Sequence, residues 1–495
     1  MLCVRNAFLF TTRVYEMADM AANSILIEQA RRFQLLVGNY SRLGFHHPGP
    51  AYMYMQAAGE SLFYDLLHVV PTPWNGQVLA VYALNAVLGA MTVAVCYGWR
   101  RTPGTALAAL AVVGGFAALH PAAFSSDWMP YEYVVPYLTF TIAGASVAAG
   151  HSRDAWIMAF SGWLLIHGQA TFLVFVPAIT SVVLLIVAVR APRPWRISPG
   201  TWVPVVAISA VFALPILLEL TLHWPGYFGD YLKYSSSNAA GGHNWRAGLH
   251  YVLWYWWPHH HAWAIVLIVY VVAGLAAWLL ARDEARWFLV AVLAVDVVST
   301  IVMFWYSINS IDFLSDTYVG YFYWSVPASA VLVLALALVW AVRDPLLRTT
   351  LAASTAVFAV ALFALAPLTR TSTTYSDPSV PLSGYNTDPR LPVALTLLTE
   401  HSARRPIVIH VGPYGTWTSM TGLLILAERR DVPICLSGSF WEFIVTSEFI
   451  CSQSEIAHGA NYNLMPLRWP RKNALIVLNS GWLTPDTGPL RPSAS

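Results

Sequence analysis

Charge is what this 495-residue sequence has least of. Asp, Glu, Lys and Arg make up 11% of it, against 57% hydrophobic residues, and the mean hydropathy is +0.56. A soluble globular domain carries about 25% charged residues. An ordinary solvated surface therefore cannot be built from this chain, and an integral membrane protein is expected. The net charge is only +2 and no Lys- or Arg-rich run is present, which leaves no electrostatic footprint for nucleic acid. Cysteine is scarce as well. Cys3, Cys96, Cys435 and Cys451 are too few and too scattered for a zinc framework. "GPYGTW" (Gly412–Trp417) contains neither GxGxxG nor GK[ST], which argues against a nucleotide site there. No convincing internal repeat exists, although such repeats are frequent in transporters.

Long apolar sequence is abundant instead. Crossing a membrane takes about 20 apolar residues per helix. Ten stretches qualify: 77–99, 104–120, 131–150, 155–168, 170–190, 201–222, 262–281, 286–305, 318–342 and 350–368. The 155–190 block is too long for one helix, so "IHGQAT" (Ile166–Thr171) is read as a turn between two. Short connections alternate between basic ones ("WRRTP", "HSRD", "RAPRPWR", "RDEAR", "RDPLLR") and ones without Lys or Arg. The ten loop arginines thus fall on one side, which the positive-inside rule assigns to the cytoplasm. Residues 1–76, the loop 223–261 and everything after 369 would then lie outside. An exported segment 1–76 needs a preceding membrane helix, and "MLCVRNAFLFTT" (1–12) is too short to span. A missing first transmembrane helix is therefore expected. The alternative, an inverted topology with 1–76 in the cytoplasm, would put ten arginines outside.

Three regions follow. Residues 1–76 form a first extracytoplasmic loop with interfacial helices, one expected from Met20 to Gln34. Residues 77–368 form the transmembrane domain, including the large outer loop 223–261. Residues 369–495 form a tail in which hydrophobicity drops. In that tail "PIVIHV" (Pro406–Val411), "VPICLS" and "NALIVLNS" read as strands and "WTSMTGLLILAERRD" as a helix, an order that suggests a small α/β domain with a parallel sheet. Cys435 and Cys451 share this exterior tail, where a disulfide can persist, and a bridge between them is expected.

Ionisable groups at the outer face are the places to look for chemistry, because charge near a membrane core is costly. Glu16, Asp19 and Glu28 are the acidic candidates of the first region, yet they could simply be solvated residues at a helix start. Asp19 with Asn23 and Ser24 could cap a helix. "NYSRLGFHHPGPAYMYM" (Asn39–Met55) follows. Its Pro48 and Pro50 stop a helix and Gly44 and Gly49 allow a bend, while the adjacent His46 and His47 are not needed for a corner. Asp127 and Glu132 flank a Trp-Met-Pro turn, where substrate binding competes with local hydrogen bonding. His259–His261 are consecutive and cannot readily converge on one ion, so interfacial anchoring is the simpler reading. Asp296 lies in the middle of a span, where such a residue finds an interior partner.

"ADMAANSILIEQARRFQLLVGNYSRLGFHHPGPAYMYMQA" (Ala18–Ala57) resembles the first extracytoplasmic loop of GT-C type glycosyltransferases, polytopic enzymes that take a sugar from a polyprenyl-phosphate carrier. The likeness is nearest to an actinobacterial cell-envelope group with an acidic residue, a helix and a "YSRFGWHHPGP"-like corner. "DWMPYEYVVP" (Asp127–Pro136), "LPILLELTLHWPGYFG" (Leu214–Gly229), "WTSMTGLLILAERRDVPICL" (Trp417–Leu436) and "WEFIVTSEFIC" (Trp441–Cys451) resemble later parts of that group. The family begins with a transmembrane helix just before the acidic residue, and here that helix is expected to be missing or truncated. The resemblance implies a polytopic α-helical fold with about ten visible transmembrane helices, the missing first helix and a small C-terminal α/β domain. It implies an inverting glycosyltransferase that moves a sugar from a polyprenyl-phosphate donor to a cell-envelope glycan or lipid acceptor on the outer face. Asp19 would be the general base, with Glu16 as its rival. Arg42, His46, His47 and Lys233 would meet the departing phosphate, and Asp127 and Glu132 would bind substrate. Some GT-C enzymes use a divalent cation, but no strong metal motif is present, so the cofactor stays open. A membrane transporter or lipid flippase is the rival function, with Asp296 as its one supporting residue. A catalytically silent scaffold for envelope assembly is the other.

Overall fold

A computed structural model describes residues 2–190, 199–236, 242–258, 262–365, 387–412, 416–471 and 473–486. His259–His261, most of "SSSNAAGG", most of the basic loop 190–196, Pro413–Gly415 and the link 366–386 lie outside the described residues.

Two helices of more than one turn precede the bundle among the described residues, α1 (Ala18–Arg31) and α2 (Ala51–Gly59), and a π-helical turn (Glu60–Leu66) extends the second. The expected helix from Met20 to Gln34 thus starts two residues earlier and stops three sooner. Each of the ten apolar stretches is mainly helical over its described residues. The first six are α3 (Pro73–Trp99), α4 (Pro103–Leu119), α5 (Val134–Ala149), α6 (Ala155–Gly168), α7 (Phe172–Arg190) and α8 (Pro199–Leu222). Next come α9 (Gly226–Ser236) and α10 (Trp245–Trp254), which belong to the large loop. The set closes with α11 (Ala262–Leu280), α12 (Asp283–Asn309), α13 (Ser325–Ala341) and α14 (Pro345–Leu365). The 155–190 block breaks after Gly168, within the expected turn. Among the described residues, seven helical segments are long and apolar enough to cross a membrane.

Local chemistry marks the helix ends. Pro73 and Pro103 occupy first helical positions, where a missing N–H loses nothing. Gly150, at φ +121°, closes α5. The arginine-bearing ends gather together: Arg153 donates to the Gly98 carbonyl (3.3 Å), Arg100 lies over Trp340 and Arg190 over Trp287. Buried aromatics fill the bundle centre, with Phe172, Phe175 and Tyr137 around Phe322.

The tail holds a five-stranded sheet among the described residues. Its strands are β1 (Ile407–Val411), β2 (Ile434–Leu436), β3 (Ala460–Pro466), β4 (Ile476–Val477) and β5 (Gly481–Pro485), in the order β2-β1-β3-β5-β4. β1 pairs in parallel with β2 and β3, as strand–helix–strand connections require, while β5 runs antiparallel to β3 and β4. The sheet is therefore mixed. The third strand expected in "NALIVLNS" is only a two-residue edge, and "ANYNLMP" supplies the inner strand instead. The two longest helices among the described residues of this domain are α15 (Leu391–Ser402) and α16 (Trp417–Glu428). α16 is buried from Trp417 to Ala427, because the sheet and α15 cover part of it and α1 covers the rest. An apolar core shared by Met17, Ala18, Ala21, Ala22 and Ile25 with Met420, Leu423 and Leu424 joins the tail to the first region. Cys435 and Cys451 form a disulfide.

Candidate active site

The HHPGP corner is the end of a short hairpin. Residues 38–47 fold back on themselves through Gly38 N–H to His47 O (2.8 Å), His47 N–H to Asn39 O (2.9 Å) and Ser41 N–H to Phe45 O (2.7 Å). Gly44 takes φ +83° at the tip, a conformation that a Cβ disfavours. The helix before this segment has already ended at Arg31, so Pro48 and Pro50 do not stop it. Pro50 is the N-cap of α2. A third histidine pins the corner. His167, at the end of α6, accepts the Ala51 N–H on Nδ1 (3.2 Å) and meets the Phe212 carbonyl through Nε2 (2.8 Å). Gly49 packs so closely on the His167 ring that a Cβ would lie 2.3 Å from Nδ1.

Alternation along an extended strand sends neighbouring side chains to opposite faces, and this separates the two histidines. His47 lines a cavity of about 380 Å³. Its Nδ1 accepts the Ala170 N–H (3.3 Å), and burial lowers its pKa to about 3, so the imidazole is neutral. His46 turns away, is buried, and binds the Gly38 carbonyl through Nδ1 (3.0 Å).

Six segments meet around that cavity: the start of α1, the hairpin, residues 128–133, the α6–α7 turn, α9, and the end of α12 with the following loop. Asp19 and Asn23 stand four residues apart on one face of α1, and both line it. Asp19 is half-buried. The Tyr40 hydroxyl donates to its Oδ1, and Trp128 Nε1–H donates to Oδ2 at 2.9 Å. Burial raises its pKa to about 6, and the two hydrogen bonds work in the opposite direction. At neutral pH the carboxylate is mostly ionised, and each oxygen keeps capacity for another proton donor.

Arg42, at the hairpin tip, also lines the cavity. Its Nη2 reaches both oxygens of Asp312 (2.6 and 2.8 Å), its Nη1 pairs with Asp316, and Phe313 and Tyr318 lie beside the guanidinium. The other expected residues are elsewhere. Glu16 is buried in an ion pair with Arg429 and accepts from Ser24 (2.9 Å), outside the cavity lining. Asp127 is buried and accepts from Trp74 (2.6 Å), with burial pushing its pKa up to about 7. Glu132 accepts from Gln56 (2.8 Å) and is also buried. Lys233 points to solvent and pairs with Asp230 (3.1 Å), leaving its α9 neighbours Tyr231, Tyr234 and Ser235 to face the cavity. Asp296 is buried in the bundle and accepts from Ser329 (2.6 Å).

The structure therefore brings Asp19, Arg42 and His47 together and leaves Glu16, His46, Asp127, Glu132 and Lys233 away from the cavity. The cationic cluster expected around a phosphate reduces to one guanidinium. Tyr40, Trp128, Tyr231, Tyr234, Gln169, Thr171 and Asp312 are lining residues that sequence reasoning did not single out. The quoted "NYSR" and "DWMP" segments held the first two, but nothing in them announced contact with Asp19. No group of three His, Cys, Asp or Glu side chains suited to a metal ion occurs among the described residues.

No protein-family model and no curated protein matches the sequence. Among solved structures, the chain is similar to ArnT from Cupriavidus metallidurans bound to undecaprenyl phosphate. The TM-score is 0.58 at 12% identity, over 97% of this chain and 96% of that one. The apo state of the same protein matches equally, with 95% of its chain covered. The likeness spans both the bundle and the tail, and it gives the chain a GT-C-like fold with a small C-terminal sheet domain.

Proposed function

We propose that this protein is a GT-C type glycosyltransferase that moves a sugar from a polyprenyl-phosphate donor to a hydroxyl of a cell-envelope glycan or lipid, at the outer face of the membrane. Its fold neighbours support a polyprenyl-linked donor, since ArnT has been solved with undecaprenyl phosphate bound. The observation that carries the reading is a carboxylate, Asp19, on the wall of a cavity at the tail-bearing end of the bundle, with both oxygens oriented by donors.

Transfer is a single displacement. The acceptor oxygen attacks the anomeric carbon, the bond from that carbon to the phosphate oxygen breaks, and its electron pair leaves on the polyprenyl phosphate. The acceptor hydroxyl proton passes to Asp19, and the anomeric configuration inverts because one nucleophile replaces one leaving group. A base with a pKa near 6 suits that task, being ionised at neutral pH yet more basic than an ordinary carboxylate. Tyr40 and Trp128 hold the carboxylate in place. Arg42 meets the departing phosphate by giving up part of its contact with Asp312 or Asp316. His47, neutral, accepts from Ala170 on Nδ1 and so presents an Nε2–H donor. The tyrosines of α9 supply a wall against which a sugar can pack.

The purified chain in nanodiscs, given a panel of undecaprenyl-phosphate-linked pentoses and hexoses with envelope glycan acceptors, is expected to release undecaprenyl phosphate with at least one of them. Binding of the panel without release by any member would contradict the proposal.

A further inference from the structure

Asp19 follows a strained residue. Ala18 has φ +56°, in the left-handed region that a Cβ disfavours, and its side chain is buried. Met17 before it is extended, and no side chain caps the start of α1. The chain therefore turns sharply into the helix one residue ahead of the carboxylate, without a local device to hold it. Such outliers persist only where surrounding structure over-determines them.

The surrounding structure here is the tail. The Thr421 hydroxyl donates to the Ala18 carbonyl (3.3 Å), Asp388 N–H donates to the Tyr15 carbonyl (3.0 Å), and Glu16 forms an antiparallel bridge with Thr387. Arg429, just past the end of α16, grips the chain on both sides of Asp19, before α1 and within it. Its Nη1 pairs with Glu16 and its Nε with Glu28 (3.1 Å), while Nη2 lies 3.5 Å from Glu60 on the π-helical turn. The grip is backed by Ser24 and Gln77, which bind Glu16 and Glu60. Its side chain is only 13% exposed and does not line the active-site cavity.

We propose that Arg429 is a positioning residue for catalysis: the tail domain's guanidinium, by holding Glu16 and Glu28 at once, sets where Asp19 stands against the bound sugar. The inference rests on Asp19 being the base. It makes the tail part of the active site, although the tail supplies no atom to the reaction. A guanidinium is needed because its rigid fork engages two carboxylates together, which a lysine ammonium does less well.

The test compares Arg429→Lys, Arg429→Met and Glu16→Gln with Arg32→Met, whose exposed pair with Glu428 also bridges α1 and α16. Turnover, KM for the active undecaprenyl-phosphate sugar and binding of undecaprenyl phosphate itself are measured on protein shown to be folded. Arg429→Lys is expected to lose about 10-fold to 100-fold in kcat, the scale of a misplaced catalytic group, with KM and undecaprenyl phosphate binding unchanged. Arg32→Met should stay within about twofold, as exposed pairs contribute little. If Arg429→Met does not fold, Glu16→Gln carries the same expectation, with its acid limb still at the wild-type pH because Asp19 remains the base. Unaltered kcat in folded Arg429→Lys or Glu16→Gln, alongside an inactive Asp19→Asn, overturns the positioning role alone. Full transfer by Asp19→Asn would instead remove the base assignment beneath it.

Discussion

Removing the Tyr40 hydroxyl should move the acid limb of the reaction without removing the base. In the wild type, Tyr40 donates to Asp19 Oδ1 and favours the ionised carboxyl, against a burial effect that has already raised its pKa to about 6. A hydrogen bond to a charged partner contributes about 1.5–3 kcal/mol, and each pKa unit corresponds to about 1.36 kcal/mol. Water entering the cavity will replace part of that bond in Tyr40→Phe, so the pKa should rise by about 1. The sign follows from the role. Asp19 accepts a proton, so activity is present above its pKa and falls as pH drops through it. Raising the pKa from about 6 to about 7 leaves roughly half of the carboxyl ionised at pH 7 instead of about nine-tenths. Tyr40→Phe should therefore lose about twofold at pH 7 and about tenfold on the acid limb below pH 5.5. Near pH 8.5 it should recover to the wild-type plateau or slightly above, because the carboxylate is more basic. The assay is kcat against pH from 5 to 9, with folding checked at each end. A limb that stays at the wild-type pH would refute the argument, since the hydroxyl would then not be setting the Asp19 pKa.

Other consequences are independent of that limb. Arg42→Met should raise KM for the donor at least tenfold while changing kcat less, if the guanidinium engages the phosphate in the ground state; an unaltered KM would remove Arg42 from that role. Loss of the Cys435–Cys451 bridge, which spans 16 residues, should lower tail stability by about 3 kcal/mol in the chain-entropy account. A reduced and a Cys451→Ser protein melting like the wild type would contradict this. The arginine-bearing helix ends are proposed to face the cytoplasm. In a Cys3→Ser background, a cysteine placed at Ser152 should resist a membrane-impermeant maleimide in intact cells, and one placed at Ser236 should react.

The bundle was legible because a run of some 20 apolar residues has few other fates, and even the break near Gly168 was marked by "HGQ". The tail was less so. β1 is a run of β-branched residues broken only by His410, whereas β3 is "ANYNLMP", whose strand character comes from pairing with β1 and β5 rather than from propensity. Asp19 was singled out only through the resemblance, since Glu16 and Glu28 carry the same chemistry nearby. Their separation is tertiary. The left-handed turn at Ala18 starts the helix after Glu16, so Glu16 and Asp19 do not share the helical spacing that would make them neighbours, and Arg429 arrives from 413 residues away. Lys233 shows the same limit from the other side. Its charge suggested phosphate, but helix rotation puts Tyr231 and Tyr234 on the cavity and Lys233 in solvent. His46 and His47 could be told apart only by the phase of the hairpin.

The central claim is that Asp19 takes the acceptor's proton. Single-turnover transfer by Asp19→Asn, measured beside wild type with the same undecaprenyl-phosphate sugar, tests it most directly. The amide keeps the shape of the side chain but cannot take the proton. A loss of about 10²–10⁴-fold in rate is expected, with undecaprenyl phosphate binding and the thermal unfolding profile retained. Transfer by Asp19→Asn at close to the wild-type rate would contradict the account.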